Sequence, residues 1–230
     1  MAGTLYVVAT PIGNLEDITF RAVRTLNEVD LIASEDTRHT KILLDRYTIA
    51  TPLTSYHKFN IRGKTTHLIH ELQLGKNLAL VSDAGTPGIS DPGYELIAEA
   101  VRQGIKVESI PGASAVITAL SVSGLPTDRF IFEGFLPKKP GKKRKALEAL
   151  KDEERTVIIY ESPFRLLKTL VEVKNIFGER PLAVCREMTK RFEEIIRGSA
   201  GEVSEKLKDQ KIRGEIVLVI SGQEAQRERS

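Results

Sequence analysis

The chain has 230 residues, 41% hydrophobic and 28% charged, with a formal net charge of +3. This make-up excludes disordered and fibrous classes and fits one large globular domain or two small ones. No apolar run nears the roughly 20 residues that cross a bilayer, and the single cysteine, Cys185, excludes an internal disulfide. Cys185 lies in the apolar run Pro181-Leu182-Ala183-Val184-Cys185 and reads as a buried small hydrophobe. The amino terminus enters a strand-like run with no basic region or signal-type core, so the expected compartment is the cytoplasm. Charge is uneven. Residues 1–125 carry 11 Lys+Arg against 13 Asp+Glu, and residues 126–230 carry 23 against 18. A basic second half suits a polyanionic partner.

Thr4 to Ala9 reads as a strand that runs into Ala9-Thr10-Pro11-Ile12-Gly13-Asn14-Leu15. Ile18 to Glu28 predicts a helix with Asp17 as its N-cap. Leu31 to Ser34 predicts a strand ending in Ser34-Glu35-Asp36-Thr37-Arg38. A glycine loop, a helix and an acidic residue at the next strand end outline a dinucleotide site. Gly13 alone cannot meet the G-x-G-x-x-G spacing, so a nicotinamide cofactor is set aside. Thr37 to Tyr47 predicts a helix, Leu53 to Tyr56 a short strand, and Thr65 to Leu74 another helix.

Leu78 to Val81 predicts a buried strand. The stretch that continues from it, Val81-Ser82-Asp83-Ala84-Gly85-Thr86-Pro87-Gly88-Ile89-Ser90-Asp91-Pro92-Gly93, is the most informative in the chain. It sits at a strand's carboxyl end, where open α/β sheets bind ligands. Glycines let backbone approach a ligand, and prolines hold the loop in shape. A plain turn needs one or two such residues, so a ligand-binding loop is the better reading. Tyr94 to Gln103 predicts a helix closed by Gly104, and Ile105 to Ile110 a strand. Pro111-Gly112-Ala113-Ser114-Ala115 then opens a helix to Ser123. It is either a simple turn or a helix start that suits a negative group such as a carboxylate.

Ser123-Gly124-Leu125-Pro126-Thr127-Asp128 reads as a linker, giving domains 1–123 and 124–230. Beyond it, Phe130 to Phe135 predicts a strand, Lys143 to Leu150 a helix, Thr156 to Tyr160 a strand and Phe164 to Phe177 a helix ended by Gly178. Two nearby strands follow, Leu182 to Arg186 and Phe192 to Arg197, then a helix at Glu202 to Asp209 and a strand at Glu215 to Ile220. Strand-helix alternation in the first half predicts a parallel sheet with helices on both faces. Adjacent strands with no helix between them predict a mixed sheet in the second. The fold class is α/β: two α/β domains, with a cleft between them as the economical site. Gln223 to Ser230 reads as a polar, disordered tail.

Tyr160-Glu161-Ser162-Pro163-Phe164-Arg165 repeats the polar strand-tip pattern, with Pro163 suited to the first turn of a helix. Cys185-Arg186-Glu187-Met188-Thr189-Lys190-Arg191 is either a solvated hairpin or a source of charged groups for the cleft. Lys138, Lys139, Lys142, Lys143, Arg144 and Lys145 form a basic run, interrupted by Pro140 and Gly141, that suits phosphate contact. His39, His57, His67 and His70 lack metal-ligand spacing, so no metal is expected. No P-loop lysine motif or G-x-S-x-G elbow is present.

The runs Ala9 to Leu15, Ser34 to Arg38, Val81 to Gly93, Pro111 to Val116, Gly134 to Pro137, Tyr160 to Arg165, Arg186 to Lys190 and Gly214 to Val219, in this order, resemble the tetrapyrrole-methylase superfamily. The resemblance spans Leu5 to Ile220. It is strongest to the bacterial branch that methylates the ribose 2′-hydroxyl of a cytidine in the decoding centre of 16S ribosomal RNA. Gly85-Thr86-Pro87 matches the shorter Gly-Asp-Pro loop of the cobalamin and siroheme branches. Some members continue past the last strand into a small helical extension with no counterpart here, so no RNA contact is assigned to one. Ser55 to Asn60 matches the family loosely and is assigned no role.

The resemblance implies S-adenosylmethionine as cofactor, in the cleft between the two domains. Pro11, Asp83, Gly85, Ile89, Ser90, Ser114 and Ala115 would hold it from the first domain, and Tyr160, Met188, Glu215 and Ile216 from the second. Asp36, Glu35, Glu161 and Glu187 are candidates for base or orienter. Arg38, Arg165, Lys190 and the run Lys142, Lys143, Arg144 and Lys145 are candidates for RNA phosphate contact. Ribosomal RNA in the 30S subunit and a second copy in a homodimer are the expected partners, with no membrane and no metal. Two alternatives stay open: methylation of a tetrapyrrole precursor, which predicts a closed apolar pocket, and a non-catalytic nucleotide-binding protein.

Overall fold

The computed structural model describes residues 1–223. The tail expected to be disordered lies, from residue 224 on, outside the described residues. The chain divides into two compact units, Met1–Ser114 and Ala115–Ser230.

The first unit carries five parallel strands: β1 (Thr4–Val8), β2 (Leu31–Ser34), β3 (Leu53–Ser55), β4 (Leu78–Val81) and β5 (Lys106–Ile110). Their order is β3-β2-β4-β1-β5. Helices α1 (Phe20–Glu28), α2 (Thr37–Arg46), α3 (Ile61–Gln73) and α4 (Tyr94–Arg102) connect them. All four residues of β4 are buried, as expected of a central strand covered on both faces. Its side chains alternate between two cores. Leu78 and Leu80 pack with Leu68, Leu72, Leu96 and Ala100 of α3 and α4. Ala79 and Val81 pack with Ala22, Leu26 and Leu44 of α1 and α2. The chain therefore leaves neighbouring strands β1 and β4 toward opposite faces. This is a topological switch point, and it opens a crevice at their carboxyl ends.

The second unit begins with α5 (Ala115–Ser123). It continues through β6 (Phe130–Phe135), α6 (Pro140–Ala149), β7 (Thr156–Glu161), α7 (Leu166–Phe177), β8 (Pro181–Arg186), β9 (Glu194–Ser199), α8 (Ala200–Leu207) and β10 (Ile216–Ile220). The sheet order is β6-β7-β10-β8-β9. Only β6 and β7 pair in parallel; the other pairs are antiparallel. One sheet face packs on α6, α7 and α8 through Leu147, Leu170, Val173 and Val203. On the other, the Cys185 Sγ lies 3.9 Å from the Ala119 carbonyl of α5. That docking puts the division at Ser114/Ala115 rather than at 123/124, because α5 belongs with the sheet it covers.

Several element starts differ from expectation. Thr19, not Asp17, caps α1: its side chain accepts the Ala22 N–H at 3.1 Å. Asp17 closes a single 3₁₀ turn, Leu15–Asp17. Helix α3 starts at Ile61 although Gly63 lies inside it, since packing of Leu68 and Leu72 outweighs a roughly 1 kcal/mol propensity cost. Helix α6 takes in Pro140 and Gly141 because proline suits a helix's first turn. Pro163 stays outside α7, in a turn where the Arg165 and Leu166 N–H groups donate to the Ser162 carbonyl. A reciprocal Ser199–Glu202 capping box starts α8. Among the described residues, no helix is long and apolar enough to cross a membrane.

Candidate active site at the strand ends

At the carboxyl edge of the first sheet, the loops after β1 and β4 lock together. The Thr10 N–H donates to the Gly85 carbonyl at 2.9 Å, and the Gly85 N–H returns to Thr10 at 3.0 Å. The Thr10 Oγ1 also donates to the Ser82 carbonyl at 3.1 Å, and the Ser82 Oγ to that of Gly85 at 3.2 Å. Gly85 holds a φ of +83°, a conformation that costs a branched side chain most. Gly112, after β5, approaches closely enough that an added Cβ would meet the Ala9 Cβ at 3.1 Å. Small residues thus bring three strand ends to one edge. Pro11 is buried there, while Ile89 and Ser90 are exposed and Ser114 and Ala115 half-buried. Ser90 holds a φ of +63°.

Asp83 ties this loop to β2. Its Oδ1 accepts the Asp36 N–H at 3.0 Å. Asp36 caps α2, accepts the Arg38 N–H at 2.9 Å and pairs with the Arg38 guanidinium at 2.7 Å. Those bonds hold the Asp36 carboxyl well below the usual range. Glu35 behaves oppositely. Burial, followed by the nearby Asp83 carboxylate, pushes its carboxyl up against the opposing pull of Lys58 and His57. The sequence reading assigned no role to Lys58 and His57, and their place at the end of β3 beside β2 was the available signal.

In the second unit, Glu161 ends β7 fully buried. Its Oε1 accepts the Ser162 N–H at 2.7 Å and pairs with Arg165 at 2.6 Å, and its Oε2 accepts the Thr169 hydroxyl at 2.5 Å. Lys143, only 6% exposed, donates to that hydroxyl at 3.1 Å and pairs with Glu172 at 3.2 Å. Arg165 also donates to the Leu136 carbonyl at 3.2 Å. This closed network braces α6, α7 and β7. It corrects three expectations: Glu161 has no open oxygen for base catalysis, Lys143 is not a surface cation, and Arg165 is a brace before it is a phosphate ligand. Lys142, Arg144 and Lys145 remain exposed on α6, with Arg144 paired to Glu148 at 2.8 Å.

The turn after β8 carries a second closed set. The Lys190 Nζ bridges Glu187 at 3.0 Å and Glu215 at 2.9 Å, and the Glu215 N–H donates to Glu187 at 3.0 Å. Burial opposes the charge on Glu187, yet the Glu215 N–H and Lys190 outweigh it and hold the carboxyl low. Burial likewise opposes the Lys190 charge, and its two carboxylate partners hold the ammonium above its ordinary value. Glu187 is therefore a poor base, and Lys190 is already neutralised. Between them Met188 is buried, flanked by Glu187 at φ +51° and Thr189 at φ +66°. Non-glycine residues in that region cluster at ligand sites. Ile216 is buried at the start of β10, opposite Glu161 and Arg186. Tyr160 meets Phe132 and Phe135 edge-on, with ring centroids 4.9 and 5.4 Å apart. Cys185 is fully buried, and burial pushes its thiol up to about 11. Among the described residues, no three His, Cys, Asp or Glu side chains group as metal ligands.

Two α/β units, one wholly parallel and one mixed, make up the fold of a class of methyltransferases. A solved structure of that fold, uroporphyrin-III C-methyl transferase from Thermus thermophilus complexed with S-adenyl homocysteine, matches 98% of this chain and 100% of its own at a TM-score of 0.65 and 18% identity. The Tetrapyrrole (Corrin/Porphyrin) Methylases profile matches residues 4–204, and the chain belongs to that family. Relatives named ribosomal RNA small subunit methyltransferase I are far more similar. That of Halalkalibacterium halodurans is 53% identical over 96% of this chain and 76% of its own length. That of Thermotoga maritima is 49% identical over 96% of this chain and 100% of its own.

Proposed function

We propose that this chain transfers a methyl group from S-adenosylmethionine to the ribose 2′-hydroxyl of a cytidine in the decoding centre of 16S ribosomal RNA. It acts in the cytoplasm on the 30S subunit, as a homodimer and without a metal. The observation that carries the reading is the contrast in similarity: about half identity to relatives named for ribosomal RNA, against 18% to an enzyme named for uroporphyrin.

The strand ends of the first unit fit the cofactor. Gly85 takes a left-handed φ that side chains rarely adopt, Gly112 leaves backbone where a side chain would crowd Ala9, and Asp83, Ile89, Ser90, Ser114 and Ala115 line that edge. Tyr160, Met188, Glu215 and Ile216 are the proposed cofactor contacts in the second unit. When bound, S-adenosylmethionine supplies a methyl group on a positively charged sulfur. The protein's task is then to align the ribose oxygen and relieve it of its proton. Positioning alone supplies about 7–11 kcal/mol in favourable cases. Glu35 is the proposed base, because burial and Asp83 raise its proton affinity toward the operating pH. Asp36 is held low by Arg38 and Glu187 by the Glu215 N–H and Lys190, and both oxygens of Glu161 already accept hydrogen bonds. Exposed Arg38, Lys142, Arg144 and Lys145 are the proposed phosphate contacts.

The test offers tritiated S-adenosylmethionine to 30S subunits, free 16S ribosomal RNA and a porphyrinogen precursor. Label in the RNA as an alkali-resistant 2′-O-methyl dinucleotide, unaffected by chelator, is the expected result. Label in the porphyrinogen, or in no acceptor, overturns the reading.

A further inference from the structure

The carboxyl ends of β6 and β7 present two phenyl rings to solvent: Phe164, 91% exposed, and Phe135, 59% exposed. The two segments that carry them are tied together. Phe135 pairs with Tyr160 across the two parallel strands. The Arg165 Nη1 donates to the Leu136 carbonyl, so the residue after each ring is tied to the residue after the other. A bulge shifts the register between Phe132 and Gly134, and Gly134 holds a φ of +64°. Strict alternation would send Phe132 and Phe135 to opposite faces. The bulge re-aims Phe135, so both rings meet Tyr160 edge-on and the outer face of Phe135 is left open. The mount is rigid, because Arg165 is clamped by buried Glu161.

The surroundings are cationic. Residues 134–147 and 162–171 contain no acidic residue; Glu133, exposed on β6, precedes them, and Glu161 is buried and paired. Lys138, Lys139 and Lys142 are exposed just beyond Phe135. Two other exposed rings differ. Phe59 and Phe192 have a cation over one face, Lys58 at 5.0 Å and Arg191 at 5.6 Å. Rigid aromatic faces beside a basic track are what unpaired nucleotides bind, by stacking and by phosphate contact. A protein partner fits less well, since lysine is depleted at the centre of such interfaces.

We infer that Phe164 and Phe135, flanked by Lys138, Lys139 and Lys142, form a stacking platform for unpaired bases of the RNA substrate. This rests on the ribosomal RNA reading above and adds to it the residues that grip single-stranded nucleotides. Phe164→Leu keeps bulk and apolarity but removes the π-face, and Phe164→Trp enlarges it. Both changes lie on the surface, so thermal unfolding should match wild type. Binding to 30S subunits and methyl transfer to them are measured in parallel, with Phe20→Leu, an exposed ring at the start of α1, as control. The expected result is a loss of about 5- to 150-fold in subunit affinity for Phe164→Leu. Wild-type affinity or better is expected for Phe164→Trp, and no change for Phe20→Leu. The same pair of changes at Phe135 should behave alike. Wild-type affinity in Phe164→Leu overturns the platform. So does a shift of that variant from dimer to monomer in sedimentation, which would make the ring a contact between copies. If wild type binds subunits but transfers no methyl, the functional reading fails while the platform is judged on affinity alone.

Discussion

The strand ends after β4 and after β7 look alike as sequence: polar residues at a strand tip, then glycine or proline, then a helix. They fold into opposite things. The β4 loop is held to the β1 loop by the Thr10–Gly85 backbone exchange, and it leaves Ile89 and Ser90 exposed. The β7 corner turns inward and seals its carboxylate with Ser162, Arg165 and Thr169. An acidic residue at a strand tip is therefore characterised by its hydrogen-bond partners and not by its position. Burial and Asp83 of the β4 loop push Glu35, just after β2, toward protonation, while Glu161 braces its corner.

The sharpest break of that comparison removes Glu35, the β2-end acid on which Asp83 of the β4 loop acts, and Glu161 of the β7 corner. Glu35→Gln should lower kcat by about 100- to 10,000-fold, the range of general base catalysis, with RNA affinity retained. In wild type the rate should climb with pH through a Glu35 pKa that burial and Asp83 raise from its ordinary value, because the base acts ionised. Stability runs the other way. A raised folded pKa stabilises the fold below the unfolded pKa of about 4.3, and that contribution is lost as pH rises through the folded value. At neutral pH Glu35→Gln should thus be at least as stable as wild type. Equal pH profiles for the two enzymes would remove Glu35 from the mechanism.

Glu161→Ala should do the reverse. It leaves the buried Thr169 hydroxyl and the half-buried Arg165 guanidinium without their partner, a loss of up to about 3–5 kcal/mol in urea unfolding. A variant as stable as wild type would mean that the corner is not braced as described.

Gly85→Val tests the open region from the backbone side. A left-handed conformation costs a branched residue about 1–2 kcal/mol, which the loop can relieve only by moving. Calorimetry should show at least about tenfold weaker S-adenosylhomocysteine binding with circular dichroism unchanged. Full affinity in a folded variant would place the cofactor elsewhere.

The smallest effect concerns α6. Changing Lys142, Arg144 and Lys145 to Gln spares buried Lys143, so the fold should hold. Subunit binding should weaken, and its salt slope should fall by about 0.7–0.9 per lost phosphate contact. An unchanged slope would make this face plain solvated surface.

Much of this was legible in the sequence. The parallel order of the first unit follows from strand-helix alternation, and the mixed sheet of the second from the short β8–β9 connection. The long glycine loop marked the open edge. Helix starts were less legible, because Pro140 and Gly63 are breakers only in an isolated chain. The burial of Lys143 was hidden by its five basic neighbours. Its partners, Thr169 and Glu172, lie a full strand and helix further on, and a linear pattern does not contain such pairings. Arg165, which caps α7, and Thr169 in its first turn stand four residues apart, a spacing the sequence does offer, but Glu161 ends the strand before them.

The single thiol gives this molecule an internal clock. Cys185 is sealed against α5 with its ionisation suppressed, so a thiol reagent reaches it only when that helix lifts or the second sheet opens. With no other cysteine in the chain, the labelling rate reports that one opening without any engineered probe. Comparing the rate with and without cofactor would time how often the first element of the second unit lets go.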